Sequence, residues 1–231
     1  MSFDASAYLR RATGRAKSDV ANKLVSMFLH EVSRRLCASL ELRVSDPRYT
    51  AAVIEAFGAN CCYCGRALET DRAAVEHLDG MNRFRVGLHV PGNVILACTR
   101  CNREKRRDDS QAKLTLAESG WESFLSHELS GCCAGCNSCA YWARVWPDQM
   151  ERESKLKEAL EKISAFRSNY LPYLKLNERA KVVLKEKIDS IYRDCQAFAT
   201  TRIRQAVDDV SGQLITKSTR RQKLPSAVGQ R

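Results

Sequence analysis

The stretch His89–Arg107, HVPGNVILACTRCNREKRR, places a turn, a short apolar run, a cysteine pair and a burst of positive charge next to one another. Pro91, Gly92 and Asn93 punctuate the chain, so the apolar run Val94–Ala97 reads as a strand that starts after a turn. The following TRCNREKRR contains neither Gly nor Pro, reads as a helix, and has Thr99 as a candidate cap at its start. Cys98 and Cys101 therefore sit at a strand-to-helix junction. A matching C-x-x-C pair, Cys61 and Cys64, lies upstream in CCYCG. Each pair can direct both sulfurs at one ion, and four thiolates complete a tetrahedral zinc site. The interval between the pairs is longer than in a short zinc ribbon, so it must hold folded chain.

Composition agrees with a metal-organised protein that meets polyanions. The 231 residues carry a formal net charge of +11, and such a surface attracts nucleic acid. Eleven cysteines would suggest disulfides in a secreted chain. The start, MSFDASAYLRRATGR, lacks an apolar signal core, and no run of about 18 apolar residues offers a membrane span. The expectation is a cytoplasmic protein with cysteines on metal and no membrane partner.

The segment between the pairs, GRALETDRAAVEHLDGMNRFRVGLHVPGNVILAC, has an extended piece ending at Glu76 and His77, then a Gly-containing basic loop. Its order is strand, loop, strand, helix. Over roughly residues 58–108 this resembles the HNH nuclease motif, the ββα-metal fold, in its form stapled by two C-x-x-C pairs. The resemblance implies an α+β fold: a small ββα-metal nuclease core with a four-cysteine zinc site, embedded in mainly helical N- and C-terminal regions. It implies a divalent-metal-dependent enzyme that hydrolyses DNA phosphodiesters and leaves 5′-phosphates. On this resemblance His77 is the general base and Asn93 the residue that fixes the loop. Glu76, where the family usually has aspartate, and Asn102, in place of the last histidine, would ligate catalytic magnesium or manganese. Cys61, Cys64, Cys98 and Cys101 would hold structural zinc. The proline often found after the histidine is replaced by Gly80. The chemistry suits these residue types: an imidazole titrates near neutrality, carboxylate and amide oxygens match a hard cation, and thiolates match zinc.

Arg100, Arg103, Lys105, Arg106 and Arg107 would then project along a phosphate backbone, with Arg83 and Arg85 adding phosphate or base contacts from the loop. For any two of these seven a solvated surface charge is the alternative. Asp79 reads as a solvated loop carboxylate or a third oxygen ligand, and His89 as a packed histidine or a ligand. A second cluster, GCCAGCNSCAYW, offers two zinc ligand sets. One is Cys132, Cys133, Cys136 and Cys139; the other, preferred because adjacent cysteines seldom share an ion, is His127, Cys133, Cys136 and Cys139. Tyr141, Trp142 and Trp146 read as core anchors.

The flanks read as helical. Val20, Leu24, Phe28, Val32 and Leu36 recur every four positions and predict a buried face, with His30 on the surface. SDPRY then breaks the chain before a short helix. After Pro147 comes a charged helix with Leu156, Leu160 and Ile163 on one stripe. A second long helix follows Asn177, with Ala180, Leu184, Ile188, Ile191, Cys195 and Phe198 spaced for a hairpin, a dimer coiled coil or packing within the chain. The organisation expected is 1–57 helical arm, 58–110 nuclease core, 111–148 connector, 149–210 helical hairpin or coiled coil, and 211–231 basic flexible tail. The leading function is an HNH endonuclease of restriction or anti-phage defence, with DNA as partner and a homodimer cutting both strands. The alternatives are a nuclease subunit switched on by an activating protein, and a zinc-dependent nucleic-acid-binding protein without catalysis.

Overall fold

The computed structural model describes residues 5–218 apart from 71, 110–113 and 133–135, and side chains within 17–211 apart from 71, 108–114 and 133–135. The fold is α+β and mostly helical. Strand β1 (Ala73–His77) pairs antiparallel with β2 (Val94–Cys98), from Ala73 opposite Cys98 to His77 opposite Val94. Helix α3 (Thr99–Lys105) follows β2 directly. Its cap is Cys98, one residue before the Thr99 expected from the sequence, because the Cys98 sulfur accepts the Cys101 N–H. Before the hairpin run α1 (Ala5–Cys37) and α2 (Pro47–Phe57), the latter capped by Asp46 with proline in its first turn. After α3 come the short strands β3 (Asp108–Asp109) and β4 (Leu114–Thr115), then α4 (Leu116–Ser119), α5 (Trp121–Ser126) and a 3-10 turn (Glu128–Ser130). Helices α6 (Asn137–Val145), α7 (Gln149–Ser168) and α8 (Leu171–Ser218) complete the chain.

Two cores hold these elements. One gathers Tyr63, Leu78, Ile95, Phe124, Trp142 and Ile163, so the hairpin is backed by α5, α6 and α7. Tyr141 and Trp142 are buried there, and Trp146 stacks on Trp142, as anchors should. The other core lies between α1 and α8 and encloses Val86, Leu88 and Val90 from the loop joining β1 to β2. The loop is thus clamped between the two long helices.

The helical registers differ in detail from the sequence reading. The buried row of α1 is Ala21, Val25, Leu29 and Ser33, while Val20 is 51% and Leu24 41% exposed. The row is shifted by one residue: Ala21, Val25 and Leu29 enter the core shared with α8 and the loop, and Ser33 accepts the His89 N–H at 2.9 Å. Helix α8 begins at Leu171, with Pro172 in its first turn, and runs through Gly212 to Ser218, past the point where a flexible tail was expected. Residues 219–231 of that tail lie outside the described residues. Asn177 is not the start of this helix; it is fully buried and its Oδ1 accepts the Leu88 N–H at 2.8 Å. Ile188, Tyr192 and Cys195 pack on α1 of the same chain, which makes α1 the partner of this stripe. Among the described residues no helix is long and apolar enough to cross a membrane.

Candidate metal centres and catalytic cleft

The sulfurs of Cys61, Cys64, Cys98 and Cys101 all lie within 4.8 Å of one another and could hold a metal ion. None of them is in a disulfide. Cys61 sits on a turn closed by the Gly65 N–H on the Cys61 carbonyl at 2.9 Å, and the Cys62 N–H ties that turn to Leu96 of β2 at 3.1 Å. Cys98 and Cys101 bring the start of α3 onto the same point. The crowding of the sulfurs splits their titration: Cys101 first, then its cysteine neighbours, hold Cys61 well below the usual thiol range, while Cys61, Cys64 and Cys98 push Cys101 up. Sulfurs packed this closely cannot all be anionic without a cation, and an all-sulfur buried set of this kind matches zinc.

Beside this centre β1 turns Glu76 and His77 in different directions, as a strand must. Glu76 is buried, receives the Lys105 ammonium on Oε1 and the Tyr63 hydroxyl at 3.3 Å, and leaves Oε2 without a hydrogen-bond partner. Burial pushes its carboxyl up despite Lys105. His77 places Nε2 3.0 Å from Nδ1 of His89, and the His30 ring from α1 stands 6.0 Å from His77 and 5.9 Å from His89. Burial first, then the neighbouring His89 and His30, lower the His77 pKa to about 3, so its imidazole is neutral and able to accept a proton.

Asn93 fixes the loop between these residues. It is fully buried, its Oδ1 accepts the Asp79 N–H at 2.7 Å, and its Nδ2 donates to the carbonyls of Asp79 at 3.1 Å and Leu88 at 2.8 Å. Both arms of the loop are thereby tied to one side chain. The arms come so close at Gly87 that a Cβ there would overlap the Asp79 carbonyl oxygen. Tyr49 of α2 adds a further tie, donating to the Val94 carbonyl and accepting the Gly92 N–H at 3.0 Å.

Glu76, His77, His30, Asn102, Lys105 and Arg106 line a single cleft of about 640 Å³, whose far wall is the polar face of α1. Three expectations change in it. Asp79 is buried and paired with Arg85 and with Arg167 at 3.0 Å, so it is neither solvated nor open to a metal. Burial alone would raise its pKa, but Arg167, Lys181 and Arg85 outweigh that and hold it below the usual carboxylate range. Arg85 is committed to this pair, and Lys105 is buried against Glu76 while also donating to the carbonyls of His77 and Leu78, so neither is a free surface cation. Arg100, Arg103, Arg106 and Arg107 are exposed, Arg107 near Glu104 at 3.4 Å, while Arg83 is half-buried over the rings of Phe84 and Tyr192.

In the second cluster His127, Cys132, Cys136 and Cys139 bring their ligand atoms within 4.8 Å and could hold a metal ion. Cys133 lies outside the described residues. Two residues of the histidine cluster escaped the sequence reading as members of one group, His30 and His89. A signal existed for His30, since Asn22, Ser26 and His30 form an i, i+4 row beside the apolar stripe. For His89 nothing local announces that the loop returns it to His77. No family model, curated protein or solved structure matches the chain.

Proposed function

We propose that the chain is a metal-dependent endonuclease of the HNH type that hydrolyses DNA phosphodiester bonds. The observation that carries this reading is the cleft lined together by the His77 imidazole, the Glu76 carboxylate with one unpartnered oxygen and Asn102. The four-cysteine group holds structural zinc and so keeps β2 and α3 at a fixed angle.

The donor set of the cleft fits a hard divalent cation. The buried Oε2 of Glu76 has no partner, and Asn102, whose side chain carries an amide oxygen, lines the same cleft. Magnesium or manganese held by Glu76 and Asn102 would supply charge neutralisation for the leaving oxygen. The chain's own residues do the rest. The hydrogen bond to His89 uses Nε2 of His77, which leaves Nδ1 as the atom to take a proton from an attacking water. Asn93 keeps the loop from moving the base, and Arg103, Arg106 and Arg107 hold the phosphate backbone.

The ion pair between Lys105 and Glu76 favours a second reading, a zinc-dependent nucleic-acid-binding protein without catalysis, because the ammonium occupies one carboxylate oxygen. Incubation of the purified chain with supercoiled plasmid separates the two. The endonuclease reading expects nicked or linear DNA only with magnesium or manganese, with ends that DNA ligase can rejoin. Binding with no cleavage under either metal is the outcome of the second reading.

A further inference from the structure

The second cysteine cluster repeats the construction of the first. Cys98 (φ −74, ψ 151) and Cys136 (φ −75, ψ 151) have the same backbone geometry, each caps a helix, and each sulfur accepts the N–H of the cysteine three residues on. Such an N–H favours the thiolate. His127 ends α5, and its Nε2 is buried without a hydrogen-bond partner. Cys132 enters after Gly131, whose φ of 79 turns the chain back toward α5. An imidazole nitrogen with no other partner, grouped with three thiols, is a ligand set that suits one zinc ion.

The two clusters are joined through α6. This helix starts at the second cluster and carries Tyr141, 1% exposed, whose hydroxyl lies 2.9 Å from the Cys101 sulfur of the first. Its neighbour Trp142 donates from Nε1 to the Phe124 carbonyl of α5 at 2.9 Å. A hydroxyl that donates to a metal-bound thiolate lowers the charge on sulfur and keeps the ligand in place.

We propose that His127, Cys132, Cys136 and Cys139 form a second zinc centre, and that through α6 and Tyr141 this centre braces the four-cysteine centre. The brace fixes the angle between α5 and α6 and presses the Tyr141 hydroxyl on Cys101. It holds whether or not the chain cleaves DNA, since it concerns only metal retention.

The test uses the full chain and reads metal directly. Wild type carries two zinc ions per chain. His127→Ala, Cys132→Ser and Cys136→Ser each carry one, and Cys133→Ser keeps both. Tyr141→Phe keeps both ions but yields the first-centre zinc to a chelator several-fold faster than wild type, as do the variants lacking the second centre. Cobalt(II) loading of wild type covers the case in which a variant fails to fold: thiolate-to-cobalt absorption then corresponds to seven sulfurs, four in one centre and three in the other. One zinc ion in wild type, or cobalt absorption of four sulfurs only, overturns the second centre. Loss of the ion in Cys133→Ser but not in Cys132→Ser overturns the ligand set. Chelator release at the wild-type rate in Tyr141→Phe and in the variants overturns the brace.

Discussion

The ammonium of Lys105 is set against the carboxylate of Glu76, both side chains buried, and also donates to the carbonyl of the adjoining His77. Removing one member of a buried pair strands the other charge. Lys105→Met is therefore expected to lower the unfolding free energy by about 3 kcal/mol. Urea unfolding of the metal-loaded protein measures this. A loss within about 0.5 kcal/mol, typical of surface changes, would show that the pair is not buried in solution.

Asn93 makes a comparable demand on the loop. In Asn93→Ala the Asp79 N–H and the Asp79 carbonyl lose their partner inside the protein, while the Leu88 carbonyl keeps the Val90 N–H at 3.0 Å. The cost is about 3 kcal/mol, since each stranded buried group costs about 1–3 kcal/mol. Hydrogen exchange localises the effect: the Asp79 amide loses protection while the amides of α7 keep theirs. Equal loss in both would mean that the side chain supports the whole fold rather than the loop.

The histidine cluster sets an acid limit on stability. An unfolded chain binds a proton at His77 near the ordinary value of 6.5, whereas the folded protein does so only at about 3. Between these values the unfolded state binds more protons, so stability falls as pH drops from 6.5 toward 3. His89, also lowered by burial and by His30, acts in the same direction. A series of melting temperatures between about pH 7 and about pH 4 should therefore slope less in His77→Gln than in wild type. Parallel slopes would show that His77 titrates normally in the folded chain.

The cations divide into two groups by what they touch. Arg103→Ala and Arg106→Ala are each expected to weaken DNA binding uniformly across sequences and to reduce the salt slope by about 1. Arg85→Ala removes a partner of buried Asp79 and should lower the melting temperature without that change in slope. Fluorescence anisotropy over a salt series, with melting curves on the same proteins, distinguishes them. A unit change in slope for Arg85→Ala would return it to the DNA-facing group.

Much of the hairpin was legible because its signals are local. The turn residues before Val94, the apolar run and the two C-x-x-C pairs each depend on a few neighbouring positions, and β1, β2, α3 and the four-sulfur group follow from them. What the sequence hid depends on distant packing. Lys105 and Arg85 look like surface cations until the folded chain brings Glu76 and Asp79 against them. His30 and His89 join His77 only because α1 and α8 clamp the loop. The one-residue shift in α1 also depends on distant packing, since Ser33 is buried where it meets the His89 N–H of the loop.

Plasmid cleavage by wild type beside His77→Ala, with zinc content determined on the same samples, tests the central claim most directly. The expected result is nicking by wild type with magnesium or manganese, and a loss of roughly a hundredfold or more in His77→Ala, on the scale of a general base, at unchanged zinc content. Equal cleavage by both proteins, or none by wild type with its zinc in place, would contradict it.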